Sequence, residues 1–213
     1  MAVKVTAADV KALREMTGAG PLDCKKALEE NDGDVEKAAE FLRQKGMASA
    51  VKKLNKGRTM NEGKVEIYQH HDGRLGVIVE VNCETDFVAA TDGFQSFAKD
   101  IALHISSMAP LYITRDDVPE DVVAGQRAAF AAMDDLEGKP DNIKEKIIEG
   151  RLDKWFQQVV LMEQEFLKDD SKTIDELLKE TVAELGESIQ IGRFSRFALG
   201  EYGDDESDEA GDE

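Results

Sequence analysis

The chain has 213 residues, of which 41% are hydrophobic and 34% charged, and its formal net charge is −18. No apolar run approaches the roughly 20 residues that cross a bilayer, and the first residues lack the features of a secretory signal or a transit peptide. We therefore expect a cytoplasmic protein that is not held in a membrane. Because Lys and Arg supply most affinity for phosphate backbones, 45 acidic against 27 basic residues argue against direct nucleic-acid binding.

Residues 5–45 have the pattern of three short helices. Thr6 is a candidate N-cap of the first helix, and the segment Thr17 to Pro21 ends it, because glycine permits positive φ and proline withholds a backbone donor. The third helix follows a candidate cap at Asp34. The residues predicted to face inward are Val10, Leu13 and Met16 in the first helix and Leu22, Ala27 and Leu28 in the second.

A change of period follows this bundle. Residues 46–60 contain four basic residues and little apolar periodicity, so we interpret them as a linker that is helical at most at its start. A positively charged docking strip is the alternative interpretation of this segment. From Lys64 to Gln69 apolar and polar residues alternate, and a second apolar run follows the turn at Asp72-Gly73. Such a turn between two alternating runs predicts a β-hairpin.

The rest of the chain predicts helices at about 94–108, 120–136, 141–161 and 174–185, and a last strand at about 188–199. The fold class is therefore α+β, with a small antiparallel sheet packed with helices. We predict four segments: a three-helix domain at 1–45, the linker at 46–60, a core domain at 61–200 and a disordered tail at 201–213. The tail carries eight acidic residues and no basic one.

The sequence contains no motif for catalysis or cofactor binding. Phosphate-binding glycine loops, the hydrolase nucleophile motif and the zinc-protease motif are absent, and the two cysteines are far apart. His104 lies on the helix that begins near Phe94 and has no nucleophile partner in the pattern, so we consider it a core or interface residue. We therefore expect no enzyme activity, no metal and no cofactor.

Residues 80–90 leave the hairpin and enter a helix. Thr85 or Asp86 is the candidate N-cap, and Phe87 lies in the first turn. Two interpretations remain open from the residues alone. Phe87 and Val88 could fill the core beneath the sheet, or Phe87 could project and enter a pocket of another molecule, which would bury about 150–250 Å².

Two segments resemble a known family. Residues 13–28, Leu-Arg-Glu-Met-Thr-Gly-Ala-Gly-Pro-Leu-Asp-Cys-Lys-Lys-Ala-Leu, closely resemble the N-terminal signature of the elongation factor Ts family. Residues 80–89, Glu-Val-Asn-Cys-Glu-Thr-Asp-Phe-Val-Ala, resemble its second signature. The order, the spacing and the intervening hairpin are also similar, and the likeness covers nearly everything but the acidic tail.

The resemblance implies a guanine-nucleotide exchange factor for the GTPase elongation factor Tu. In the family the N-terminal bundle resembles a ubiquitin-associated (UBA) domain and docks on the GTPase, and the second signature is implicated in dislodging magnesium from it. The implied magnesium-dislocation residues are Thr85, Asp86, Phe87 and Val88. The implied partner contacts are Arg14, Met16, Gly18, Gly20, Pro21 and Leu22, and we add His104 as a candidate contact.

The chain has one hairpin–helix unit where longer family members have two. It therefore resembles the short form, which completes its core as a homodimer. An alternative function is a UBA-like interaction adaptor without exchange activity, which gives no role to the Thr-Asp-Phe-Val element. An unrecognised enzyme is a third possibility, and the missing motifs disfavour it.

Overall fold

The structure is a computed structural model that describes residues 5–54 and 59–201. Within these ranges the chain forms eight α-helices and five β-strands, which confirms the predicted α+β class. The helices are α1 Ala7–Thr17, α2 Pro21–Glu30, α3 Val35–Leu54, α4 Asp86–Ala89, α5 Asp92–Met108, α6 Glu120–Ala131, α7 Asp141–Val159 and α8 Ile174–Leu185. The strands are β1 Glu62–Gln69, β2 Leu75–Cys83, β3 Glu165–Phe166, β4 Asp169–Thr173 and β5 Ile189–Ala198.

The described residues divide into two compact units, each assembled from separate stretches of chain. The first contains the described part of 1–63 together with 82–95 and 178–190, and the second contains 64–81, 96–177 and the described part of 191–213. The domain boundaries at residues 45, 60 and 200 remain predictions. The acidic tail after Glu201 lies outside the described residues. In the described part of the chain, no helix is long and apolar enough to span a membrane.

Helices α1, α2 and α3 form the expected N-terminal bundle. Thr6 caps α1 as predicted, since its hydroxyl accepts a hydrogen bond from the backbone N–H of Asp9 while the Asp9 carboxylate accepts from the backbone of Thr6. Asp34 caps α3 through the N–H of Lys37 at 3.1 Å. The buried core of the bundle consists of Leu13, Cys24, Ala27, Leu28, Ala38 and Leu42.

Helix α3 continues past residue 45 and ends at Leu54, so the first part of the predicted linker is helical. The side chain of Ala50 is fully buried in this extension. A Cβ atom added at Gly46 would lie 3.2 Å from the Cβ of Ala183, which shows how closely α3 packs against α8 in the first unit. Packing on α8 therefore supports a segment in which the sequence shows little apolar periodicity. Residues 55–58 lie outside the described part of the chain.

Strands β1, β2 and β5 form the three-stranded sheet, with β2 in the centre. The hairpin turn forms as predicted, and the N–H of His70 donates to the carbonyl of Leu75 at 2.9 Å. Strand β5 runs antiparallel to β2, because the N–H of Leu199, just after β5, donates to the carbonyl of Arg74, just before β2. One face of the sheet is covered, and Arg196 on it donates to the carbonyl of Ser106 in α5 at 3.3 Å.

The opposite face of this sheet, which we call the outer face, is apolar and open in the described residues. Its large exposed side chains are Val65, Ile67, Ile78, Phe197 and Leu199. On β1 the alternation has an unexpected sense, because the apolar Val65 and Ile67 are exposed whereas Lys64, Glu66 and Tyr68 on the other face are half-buried. Four of these five side chains, all except Val65, line a single open groove of about 670 Å³.

Helices α6 and α7 pack around a cluster of buried side chains, Val118, Leu136, Ile148, Leu152, Phe156 and Val160. Both helices end earlier than predicted. After Val159 the chain pairs with another segment, since the N–H of Leu161 donates to the carbonyl of Tyr112 at 2.8 Å, and this pairing ends α7. After Ala131 the chain enters a short 3-10 turn at Asp134–Leu136. Strands β3 and β4, which were not predicted, have two and five residues and are too short to show a period of two.

Candidate partner-binding site

The turn between α1 and α2 brings together the six residues that the N-terminal signature singles out. All six are exposed: Arg14, Met16, Gly18, Gly20, Pro21 and Leu22. Gly18 follows α1 with φ of 67°, in the left-handed region that favours glycine, and its N–H donates to the carbonyl of Arg14 at 2.9 Å. Gly20 precedes α2, and Pro21 is its first residue, where the missing N–H costs nothing.

Hydrogen bonds to buried neighbours hold this turn. The hydroxyl of Thr17 donates to the carbonyl of Leu13 at 2.7 Å, and the thiol of Cys24 donates to the carbonyl of Ala19 at 3.5 Å. Leu13 and Cys24 are fully buried. The exposed residues of the turn are therefore held in place by hydrogen bonds to residues of the bundle core.

Two apolar residues of this turn were predicted to face inward, and that prediction is wrong. Leu22 is 75% exposed and Met16 is 62% exposed. Val10 and Leu13 form the face of α1 that packs inward. In α2, the inward face consists of Cys24, Ala27 and Leu28. The bundle core closes without the two outward side chains, so they form an apolar surface at one end of the bundle.

The second signature forms α4, a helix of only four residues. Thr85 is its N-cap, and its hydroxyl accepts a hydrogen bond from the N–H of Val88 at 3.3 Å. Phe87 is 81% exposed and Asp86 is exposed, whereas Val88 is half-buried and Ala89 is buried. The interpretation in which Phe87 fills the core is therefore wrong.

Both ends of α4 are fixed by side chains from the same unit. At its end, the amide of Gln95 donates to the carbonyl of Ala89 at 2.6 Å, and the hydroxyl of Thr91 donates to the carbonyl of Val88 at 2.7 Å. At its start, the carboxylate of Glu187 accepts from the N–H and from the hydroxyl of Thr85 at 3.1 and 2.8 Å. No sequence pattern pairs Thr85 with Glu187, which lies 102 residues further along the chain.

The buried thiol of Cys83 lies just before this helix and donates to the carbonyl of Thr85 at 3.1 Å. Burial raises the pKa of this thiol. A thiol with a raised pKa is a poor nucleophile and a poor metal ligand at neutral pH. Among the residues that the structure describes, no group of three or more His, Cys, Asp or Glu is arranged to hold a metal ion.

His104 lies in the core of the second unit. Of the two interpretations from the sequence, a core residue or an interface residue, the structure supports the first. It is fully buried, its Nε2 lies 3.0 Å from Oε1 of Gln164, and its Nδ1 accepts from the N–H of Leu167 at 3.2 Å. Because Nδ1 is the acceptor, the ring proton resides on Nε2 and points at Gln164. Desolvation lowers the pKa of this imidazole. A buried ring whose two nitrogens are both hydrogen-bonded within the chain has no surface to offer a partner.

Comparison with known proteins identifies the family. A family model described as Elongation factor TS matches residues 7–201. The chain is 55% identical over 197 residues to elongation factor Ts of Carboxydothermus hydrogenoformans, covering 92% of this chain and 90% of the relative. It is 50% identical over 199 residues to that of Geobacter sulfurreducens, covering 93% and 91%, and 52% identical over 197 residues to that of Thermoanaerobacter pseudethanolicus, covering 92% and 96%. The chain therefore belongs to the elongation factor Ts family and has the role of a translation elongation factor.

Proposed function

We propose that this chain binds the GDP form of elongation factor Tu and promotes release of GDP, so that GTP can load. The partner and the activity come from the family, and the observation that carries the proposal is the 81% exposure of Phe87 on a helix fixed at both ends. A large apolar side chain held out into water is stabilised when a partner buries it. Phe87 is thus suited to enter the GTPase beside its nucleotide site.

The mechanism needs no reaction chemistry from this chain. Magnesium bridges the nucleotide phosphates and protein oxygens of a GTPase, so a shift of its surroundings weakens nucleotide binding. In this proposal Phe87 enters the partner while Thr85, Asp86 and Val88 form the rest of the element that disturbs the magnesium site. Asp86 brings a negative charge on an exposed side chain beside Phe87. The chain acts as an exchange factor and not as an enzyme.

Linkage fixes what the interface must achieve. If this chain binds nucleotide-free partner more tightly than GDP-bound partner, it must weaken the partner's binding of GDP by the same ratio. Each tenfold of that ratio requires about 1.4 kcal/mol. Burial of one phenylalanine contributes about 2–3 kcal/mol, so Phe87 accounts for only part of a large effect.

A second contact supplies the remaining affinity. The α1–α2 turn offers Met16 and Leu22 as an apolar surface, with Arg14 beside it. Gly18 and Gly20 lie between the two helices, and Pro21 begins α2. We propose that this turn docks on the GTPase domain and anchors the complex. A UBA-like adaptor would use the same turn, but it would leave the exposed Phe87 without a role.

We also propose that the chain forms a homodimer through the outer face of its sheet. Ile67, Ile78 and Phe197 line one groove on neighbouring strands, and soluble monomers rarely leave a contiguous apolar patch of this kind open. A second copy fits it, because a two-fold axis pairs one patch with itself. The ion pair between Glu80 and Arg193, at 2.7 Å, lies beside the apolar residues and supplies a polar rim. A cytoplasmic location and the lack of direct nucleic-acid binding complete the proposal.

The test is release of labelled GDP from preloaded elongation factor Tu with excess unlabelled nucleotide. Substoichiometric amounts of this chain should accelerate release, and each molecule should act on many GTPase molecules. An adaptor would bind the GTPase or another partner without accelerating release. Unchanged release at saturating chain concentration would rule out the exchange function.

A further inference from the structure

Two segments far apart in sequence, residues 84–85 and residues 187–188, are hydrogen-bonded to each other at the start of α4. The carboxylate of Glu187 accepts two hydrogen bonds from Thr85, and the N–H of Ser188 donates to Oε1 of Glu84 at 2.9 Å. Each segment therefore donates to a carboxylate of the other: Thr85 donates to Glu187, and Ser188 donates to Glu84. The chain after α8 is therefore joined to the chain before α4 by three hydrogen bonds.

The hydroxyl of Thr85 performs two tasks in this arrangement. It donates its proton to Oε1 of Glu187 at 2.8 Å, and it accepts from the N–H of Val88 at 3.3 Å. Because the proton is directed at Glu187, the lone pairs of the oxygen remain free for the helix N-terminus. Glu187 thereby fixes the hydroxyl orientation that caps α4.

A helix of four residues cannot hold itself, because helix nucleation is unfavourable and α4 provides too few internal hydrogen bonds to offset it. Its direction depends on its attachments. Gln95 and Thr91 hold the end of α4 and lie within ten residues of it in sequence, whereas Glu187 reaches it from a distant segment. Phe87 is too exposed to be held by packing of its own ring.

We propose that Glu187 is a positioning residue for Phe87: its carboxylate clamps Thr85 and so holds α4 in the orientation that presents Phe87 to the partner. Glu187 does not touch the partner in this account and acts only through Thr85. The inference rests on the proposed exchange function for its activity readout. The clamp itself can be measured in the free protein.

Glu187→Gln is the informative variant. The glutamine amide keeps the size of the side chain but offers one acceptor oxygen where the carboxylate offers two, and its NH2 group can only donate. If the NH2 group faces Thr85, it donates to the hydroxyl oxygen of Thr85 and competes with the N–H of Val88 for that acceptor. Glu184→Gln is the matched control, since Glu184 is an exposed carboxylate near the end of α8.

The first measurement is hydrogen exchange of the Val88 and Ala89 amides in the free protein. Glu187→Gln should speed their exchange roughly three- to tenfold, in keeping with the loss of one hydrogen bond, whereas Glu184→Gln should leave them unchanged. The melting temperature should change little in either variant. Equal protection in wild type and Glu187→Gln would overturn the clamp, and this result does not depend on any exchange activity.

The second measurement is the maximal rate of stimulated GDP release in a double-mutant cycle with Phe87→Ala. Glu187→Gln alone should slow release roughly three- to tenfold. In the Phe87→Ala background it should have no further effect, because there is no ring left to position. Additive losses would show that Glu187 acts independently of Phe87 and would overturn the proposal. If the wild-type chain fails to release GDP at all, the proposed function fails while the amide measurement still decides on the clamp.

Discussion

Leu22 and Leu28 lie on the same helix, α2, in opposite environments. Leu22 is 75% exposed at the α1–α2 turn, whereas Leu28 is fully buried in the bundle core. Leu28→Ala should cost about 2–5 kcal/mol of the stability of the bundle, because it leaves a cavity among packed side chains. Leu22→Ala should leave melting unchanged and weaken capture of elongation factor Tu.

Thermal melting and binding to immobilised elongation factor Tu, measured on both variants, check this prediction. The pair separates loss of contact from loss of fold, since both substitutions remove the same atoms. A Leu22→Ala variant that binds as tightly as wild type would show that the turn is not the docking surface.

His104 makes the stability of the second unit depend on pH. Burial holds the pKa of the folded imidazole below its ordinary value, which is about 6.5 in the unfolded chain. As the pH falls below about 6.5, the unfolded chain takes up a proton that the folded chain does not. The free energy of unfolding therefore decreases on acidification until the folded pKa is reached, by at most about 1.4 kcal/mol per pH unit.

Denaturant unfolding between pH 5.5 and 7.5 measures this dependence. His104→Gln should flatten the curve in this window, whatever its effect on stability at pH 7.5. His71→Gln, which removes a histidine at the exposed hairpin turn, is the matched control. An unchanged slope in His104→Gln would contradict the assignment of a neutral buried ring.

At the scale of elements, the outer face of the sheet is an apolar surface that leaves large side chains exposed in the described chain. Ile67→Glu should disrupt a dimer by placing an unpaired charge in the apolar groove. Ile143→Glu is the matched control, because Ile143 is also an exposed isoleucine but lies on α7. Sedimentation should give a dimer for wild type and Ile143→Glu and a monomer for Ile67→Glu. A monomeric wild type at micromolar concentration would contradict the homodimer.

The sequence predicts those helices and strands in which the apolar period is maintained over many residues and the ends carry capping or turn residues. The Thr6 cap, the Gly18 stop and the turn at Asp72-Gly73 all form where local chemistry places them. The end of α3 was missed because Gly46 and Ala50 are supported by packing and not by an apolar repeat. The early end of α7 was missed because pairing with Tyr112 decides it.

The candidate site divides in the same way. The signatures locate the α1–α2 turn and α4, but burial cannot be read from them, so the inward prediction for Leu22 is wrong and the environment of Phe87 stayed open. Glu187 could not be found from the sequence, because its partner Thr85 is 102 residues away and neither residue stands in a pattern with the other. Residues whose role depends on a distant contact need the fold.

At the scale of the whole molecule, the acidic tail concentrates negative charge in a short segment with few apolar residues. Residues 202–213 carry seven carboxylates and only Tyr202 and Ala210 as apolar residues. Charges on such a segment are screened beyond about 8 Å at physiological salt. Deleting 202–213 should therefore change stimulated GDP release by less than about threefold at that salt concentration. A tenfold loss would show that the tail contacts the partner or steers its approach.

The central claim is that Phe87 is an exposed residue that acts on the partner. Phe87→Ala, measured for both thermal melting and stimulated GDP release, tests it most directly. Because the ring is 81% exposed, the variant should melt as wild type does, while GDP release should slow by roughly tenfold or more on the scale of apolar burial. Release at the wild-type rate by a variant that is fully folded would contradict the claim.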